Sequence, residues 1–169
     1  MYLRFMSEME VLTWSMFGEA SLDLARMIDA DGYRPDLILA IARGGLPIGG
    51  ALSYSLGIKN THVMNVEYYT GKGERLEFPV ILPPPLTLVN IESSKVLICD
   101  DVADTGHTLK MVVEYVASQV GEVRTAVVYQ KPESVIDCDY VWKHTSDWID
   151  FPWSTKNALV NPHESDIHD

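Results

Sequence analysis

Asp100, Asp101 and Asp104 crowd three carboxylates into one short stretch, and Thr105-Gly106-His107-Thr108 follows at once. The second half of this segment suits a phosphate. Hydroxyls of Thr105 and Thr108 can donate, Gly106 lets the backbone come close, and a helix start leaves backbone N–H groups without partners. No lysine is needed there. The first half is the reverse, because carboxylates beside a phosphate repel it unless a divalent cation or the diol of a sugar stands between them. The segment therefore implies a ribose phosphate held with Mg2+, the sugar hydroxyls donating to the aspartates. A second anion-competent turn, Arg43-Gly44-Gly45, lies earlier in the chain.

Both turns need elements on either side to aim them. Val96-Leu97-Ile98-Cys99 reads as a strand buried on both faces of a parallel sheet, over 95–99, with the aspartates just beyond its carboxyl end. The apolar spacing from Leu109 to Val116 predicts a helix over 108–119. Likewise 36–42 reads as a buried strand and 47–56 as a helix closed by Gly57, so Arg43-Gly44-Gly45 also joins strand to helix. A first amphipathic helix is predicted over 13–31, with Thr13 as its N-cap. Further strands are expected at 62–69, 123–129 and about 139–142. From Thr70 to Leu88 regularity fails among Gly71, Gly73 and Pro83-Pro84-Pro85, as in a functional lid. Strands alternating with helices make the fold class α/β, with a central, mostly parallel sheet flanked by helices.

Blander explanations compete with the chemical one. Asp104 or Thr105 could simply cap the helix, and Asp100 and Asp101 could end a strand in solvent. A receiver domain also opens with paired aspartates, but it needs a phosphoacceptor and a late lysine on two further strand-helix units, and the 68 residues after Asp101 hold another kind of segment. A Walker phosphate loop is absent. Arg43, between a buried strand and two glycines, is read as an anion ligand. Trp148 and Trp153 are by default core or interface aromatics, and Arg75, among Lys72, Glu74 and Glu77, is by spacing alone a solvated side chain.

At 169 residues the chain has room for one α/β domain. Its 24 acidic against 13 basic residues give a net charge of −11, which argues against nucleic acid and anionic membranes as partners. Cys99 and Cys138 have no metal-ligand spacing and read as buried thiols of a reducing compartment. No stretch is long and apolar enough for a membrane span, and the first residues do not form a signal peptide. A cytoplasmic protein is expected.

The strand-Asp-Asp-x-x-Asp-Thr-Gly-x-Thr segment, the Arg-Gly-Gly turn, Tyr129-Gln130-Lys131-Pro132 and Trp148-Ile149-Asp150-Phe151-Pro152-Trp153 together resemble the type I phosphoribosyltransferases. The last two segments are most similar to the purine-binding parts of bacterial xanthine-guanine phosphoribosyltransferases, and the whole chain also resembles actinobacterial phosphoribosyltransferases. The resemblance implies a mobile lid loop over about 69–88 and a small C-terminal hood over about 131–153, within a domain spanning 13–153. An N-terminal extension, 1–12, and an acidic tail, 154–169, would flank it.

By the same resemblance the partners are phosphoribosyl pyrophosphate and a nucleobase, with Mg2+ as cofactor at Asp101 and Asp100. Arg43 and Gly44 would bind the pyrophosphate, often through a cis peptide between the corresponding residues, and Arg75 would close over it. Residues Asp104, Thr105, Gly106, His107 and Thr108 would cradle the 5′-phosphate, His107 without a catalytic role. Lys131 would donate to the purine O6, Trp148 would stack on the ring, and the Ile149 carbonyl would meet a group at C2. Asp104 would face N7 and transfer a proton, with Arg43 and Arg75 as the other catalytic groups. The implied activity is nucleoside monophosphate synthesis from a 6-oxopurine, by a homodimer or homotetramer. Two other readings share the donor site: transfer to another nitrogenous base, or a sensor of phosphoribosyl pyrophosphate without turnover.

Overall fold

The computed structural model describes residues 9–67, 80–81 and 91–156. In chain order the elements are β1 (Met9–Val11), α1 (Trp14–Ala30), β2 (Leu37–Ala42), α2 (Gly45–Ser55), β3 (Thr61–Glu67), β4 (Val80–Ile81), β5 (Lys95–Ala103), α3 (His107–Ala117), β6 (Glu122–Gln130), β7 (Tyr140–His144) and β8 (Trp148–Asp150). A six-stranded sheet has the order β4-β3-β2-β5-β6-β7. All its pairs are parallel except β3 with β4. The mostly parallel α/β fold is thus the one the alternation of elements predicts.

Strand alternation explains the two cores. Ile38, Leu97, Cys99, Ala126 and Val128 face one side with α1 and α2, whose Leu24, Ile28, Ile48 and Leu52 complete that layer. Leu37, Leu39, Ile41, Val96, Ile98 and Val127 face the other, covered by Leu109, Val112 and Val116 of α3. Continuous apolar strands are what a sheet covered on both sides requires. The connection after β2 runs outward to β3, whereas that after β5 runs the opposite way to β6. Their carboxyl ends therefore flank a topological switch point, the place where such sheets leave a crevice for ligands.

Helix α1 begins where expected: the Thr13 hydroxyl accepts from Met16 N–H at 3.2 Å. Strand β5 runs further than the sequence suggests. Parallel partners on β6 continue as far as Ala103 opposite Gln130, so Asp100 and Asp101 lie inside the strand rather than beyond it. A short strand, β4, occupies part of the stretch that looked irregular, pairing Val80 and Ile81 with Glu67 and Val66. Unassigned from sequence was a second sheet, in which β1 and β8 pair in parallel. Residues 9–11 are too few to show a period, so only their partner identifies them as a strand. The acidic tail lies outside the described residues from 157 onward.

Away from the crevice, Arg124 ties three elements together. Its guanidinium pairs with Asp31 after α1 and with Glu122 at 2.9 Å, donates to Tyr140 Oη at 2.8 Å, and lies 4.5 Å over the Tyr33 ring. Tyr140 in turn donates to Asp31 at 2.8 Å. Arg124→Ala is expected to destabilise the fold by about 1–2 kcal/mol, read as a lower denaturant midpoint with an unchanged slope. The Tyr140 hydroxyl, with help from Arg124, holds the Asp31 carboxyl below its ordinary value. The folded state then binds fewer protons there than the unfolded chain. That stability is present above the ordinary carboxylate range and is lost as pH falls through the depressed value, so the variant should show a flatter acid limb.

Candidate active site

The crevice at the switch point gathers the two turns. Gly44 lies directly against Asp101: a Cβ there would sit 2.3 Å from one Asp101 carboxyl oxygen and 2.5 Å from the other. A Cβ on Gly45 would meet the Cys99 carbonyl at 2.3 Å, so the start of α2 presses on β5 itself. These contacts, rather than backbone freedom, call for two glycines after Arg43. A cis peptide joins Ala42 to Arg43, one bond earlier than the resemblance implied, where β2 ends.

Asp100 and Asp101 are half-buried in the crevice wall and interact with each other. Asp100 Oδ1 accepts from the Asp101 N–H at 2.9 Å. Burial pushes the Asp100 carboxyl well above the usual range, and the charge of Asp101 adds to this. Burial also raises Asp101, opposed by hydrogen bonds from the Val102 N–H and the Trp153 indole. Two adjacent carboxyls disfavoured as anions are a natural place for a cation or donor hydroxyls. Among the described residues no group of three or more His, Cys, Asp or Glu could hold a metal ion. Two carboxylates alone would leave an ion such as Mg2+ to complete its shell with waters and with oxygens of a phosphorylated substrate.

The turn at 105–108 lies, as expected, at the start of a helix. Gly106 is the N-cap residue of α3 at φ 77, and no side chain caps the helix. Neither Asp104 nor Thr105 is spent as a cap. Gly106 is required twice over, since its positive φ is unfavourable for other residues and a Cβ would strike Ser134 Oγ at 2.4 Å and Ile136 Cγ2 at 2.9 Å. The close approach is thus to the loop after β6. Val135 N–H donates to the Thr105 carbonyl at 2.9 Å, holding that loop against the turn. His107 is exposed and Thr108 half-buried at the first turn of α3.

Lys131 follows β6, where its N–H donates to the Ala103 carbonyl at 3.0 Å. Its ammonium reaches back to Asp104 Oδ1 at 3.2 Å and lies 5.9 Å from the Trp148 ring centre. The Lys131 side chain is only 12% exposed, while Asp104 is 57% and Trp148 65% exposed. A cation, a carboxylate and an open aromatic face therefore converge beside the turn at 105–108. Ile149 is buried, yet its backbone is available. Leu12 N–H donates to the Asp150 carbonyl at 3.0 Å, so ladder alternation points Asp150 toward β1 and turns the Ile149 carbonyl to the other edge of β8.

Residues 9–158 match the family described as Phosphoribosyl transferase domain. The chain belongs to the phosphoribosyltransferase family. A solved purine phosphoribosyltransferase from Pyrococcus horikoshii is similar to this phosphoribosyltransferase at TM-score 0.75 and 34% identity, covering 92% of this chain and 99% of that one. A xanthine-guanine phosphoribosyltransferase of Gluconobacter oxydans is 33% identical over 127 residues, 74% of this chain and 72% of its own. Another, from a Ruegeria species, is 29% identical over 163 residues, 90% and 89% of the two chains.

Within this phosphoribosyltransferase, Arg43, Gly44, Asp100, Asp101, Asp104, the turn 105–108, Lys131, Trp148 and Ile149 are all described; most lie at or just beyond the carboxyl ends of β2, β5 and β6, and Trp148 and Ile149 lie on β8. Arg75 and most of the stretch 69–88, expected from the resemblance to be a lid, lie outside the described residues. Trp153, read from sequence as a packing aromatic, does stack on Phe151 at 5.0 Å and meets Phe17 at 5.3 Å. Its indole bond to Asp101 was not foreseen. Nor does the sequence signal the contacts of Glu10, whose carboxylate accepts from Lys143 Nζ at 2.7 Å and from Tyr129 Oη at 3.2 Å.

Cys99 and Cys138 behave as inert packing groups. Burial pushes both thiols up, Cys138 to about 12.

Proposed function

We propose that this phosphoribosyltransferase transfers the 5-phosphoribosyl group of phosphoribosyl pyrophosphate to a 6-oxopurine, giving a nucleoside monophosphate and pyrophosphate. The observation that carries the reading is the Lys131 ammonium held between Asp104 and the Trp148 ring, beside the phosphate turn. A purine stacked on Trp148 meets Lys131 at O6 and Asp104 at N7, and the outward Ile149 carbonyl accepts from an amino group or N–H near C2. The names of the relatives support the same acceptor class.

The donor lies across the switch point. Residues 104–108 take the 5′-phosphate on backbone N–H groups and hydroxyls, Asp100 and Asp101 accept from the ribose diol, and Arg43 with Gly44 faces the pyrophosphate. The purine nitrogen forms its bond to ribose C1 as the bond from C1 to the pyrophosphate oxygen breaks, that oxygen keeping the electron pair, with inversion. Asp104 takes the proton the base releases. Catalysis rests on alignment, and on positive charge placed where the leaving group gains negative charge. Asp101 and Asp100 would hold Mg2+ together with the donor, and the ion would supply part of that charge. Arg75 is proposed to supply more from the lid.

Incubating the protein with Mg2+, phosphoribosyl pyrophosphate and guanine, xanthine or hypoxanthine in turn should yield the matching nucleotide; no nucleotide from any of them would refute the reading. Lys131→Ala is expected to raise KM for these bases by about 10- to 100-fold while changing donor KM by less than about threefold. An equal loss in both would remove Lys131 from base recognition. The reading extends to a cytoplasmic homodimer or homotetramer. Free thiols, Cys99 buried and Cys138 half-buried, support the compartment, and exposed Leu46, Tyr54 and Val63 on α2 and β3 support self-association, which light scattering tests.

A further inference from the structure

The base-reading carbonyl belongs to a strand of only three residues, β8, and its described partner is β1. Such a pair has little register information of its own, and a slip by one residue would exchange its faces. In the observed register Met9, Glu10 and Val11 oppose Trp148, Ile149 and Asp150. A slip that turned β8 over would aim the Ile149 carbonyl into the ladder and turn the Trp148 ring away from Lys131. Something must pin β1.

Glu10 makes the contacts that do so. Its backbone stands opposite Ile149, and its carboxylate, only 16% exposed, accepts from Lys143 Nζ at 2.7 Å and from Tyr129 Oη at 3.2 Å. Tyr129 and Lys143 are themselves register partners on β6 and β7, and Tyr129 stands just before Gln130-Lys131. Next to Glu10, Leu12 is sunk into the core at 1% exposure, which anchors the other end of β1. An enclosed carboxylate is costly where an apolar residue could fill the same space, unless its directional bonds are used. Here they connect the Lys131 side of the base to the Ile149 side.

We infer that β1 is the positioning strand of the base site and that Glu10 is the residue that sets its register, so that Glu10 governs recognition of the purine 2-position without touching the base. This rests on the 6-oxopurine reading above.

Initial rates of wild type, Glu10→Ala, Glu10→Gln and Lys143→Met, with base and donor varied separately, test it. Glu10→Ala should raise KM for guanine about tenfold and donor KM less than about twofold, with kcat within about threefold. Hypoxanthine, which has no 2-substituent, should lose less than guanine. Glu10→Gln should recover most of the loss, because its amide oxygen still accepts from Tyr129 and Lys143. Lys143→Met should show the same ordering at smaller size, and its exposed side chain makes it the variant sure to fold; melting curves check the others. Equal rises in both KM values, equal losses for guanine and hypoxanthine, or failure of Glu10→Gln to rescue would overturn the inference. Wild-type turnover with a flat Glu10 response overturns it alone. Absence of wild-type turnover with every 6-oxopurine overturns the base reading and this inference together.

Discussion

Asp104→Asn is expected to lower kcat by about 100- to 1000-fold while the dissociation constant of phosphoribosyl pyrophosphate moves by less than about threefold. The reasoning is geometric. Asp104 is not the cap of α3, is more than half exposed, and contacts the Lys131 ammonium rather than the turn that follows it. Asparagine keeps the volume and an accepting oxygen but cannot take a proton, so the phosphate turn should bind as before. Single-turnover rates beside calorimetric donor titration separate the two effects. Unchanged turnover would remove Asp104 from the chemistry, and a matching loss of donor affinity would reassign it to binding.

Gly44→Ala should have the second-largest effect, weakening donor binding by about 100-fold, equivalent to about 2.7 kcal/mol. The added carbon would lie 2.4 Å from the Asp101 carboxyl carbon, closer than side chains tolerate. Asp101 has little room to retreat, because the Val102 N–H and the Trp153 indole hold it and Asp100 stands beside it. Either the carboxylate rotates away from the ribose or the Arg43 turn moves off the pyrophosphate. Gly50→Ala is the control: nothing lies within 4 Å of its Cβ, so it should bind donor normally and gain up to about 1 kcal/mol from helix propensity. Calorimetry on both variants decides the point. Donor affinity unchanged by Gly44→Ala would mean that the carboxylate and the turn do not act together.

The parts of this site that are legible in the sequence are those built from neighbours in the chain. Asp100 to Thr108 carry their chemistry in order, and the apolar runs on either side identify the strand and helix that aim them. The end of β5 was placed too early because Asp100 and Asp101 look like a strand terminus, whereas the ladder with β6 carries the strand on to Ala103. Lys131 and Trp148 gained meaning only through resemblance, since a lysine after a strand and an exposed indole are ordinary until their 5.9 Å approach is known. Glu10 was illegible for a stronger reason. Its partners Tyr129 and Lys143 are brought to it entirely by the sheet, and no local pattern marks such a contact.

Pairing β1 with β8 also orders events in time. About 140 residues separate the two strands along the chain, so a ribosome would release Met9–Val11 long before Trp148–Asp150 exists to meet them. The nucleus formed by β2, β5 and their helices can collapse early, with mostly nearer partners, while closure of the small outer sheet must wait. A nascent or interrupted polypeptide would thus acquire its sugar-phosphate cradle before it could discriminate one acceptor ring from another.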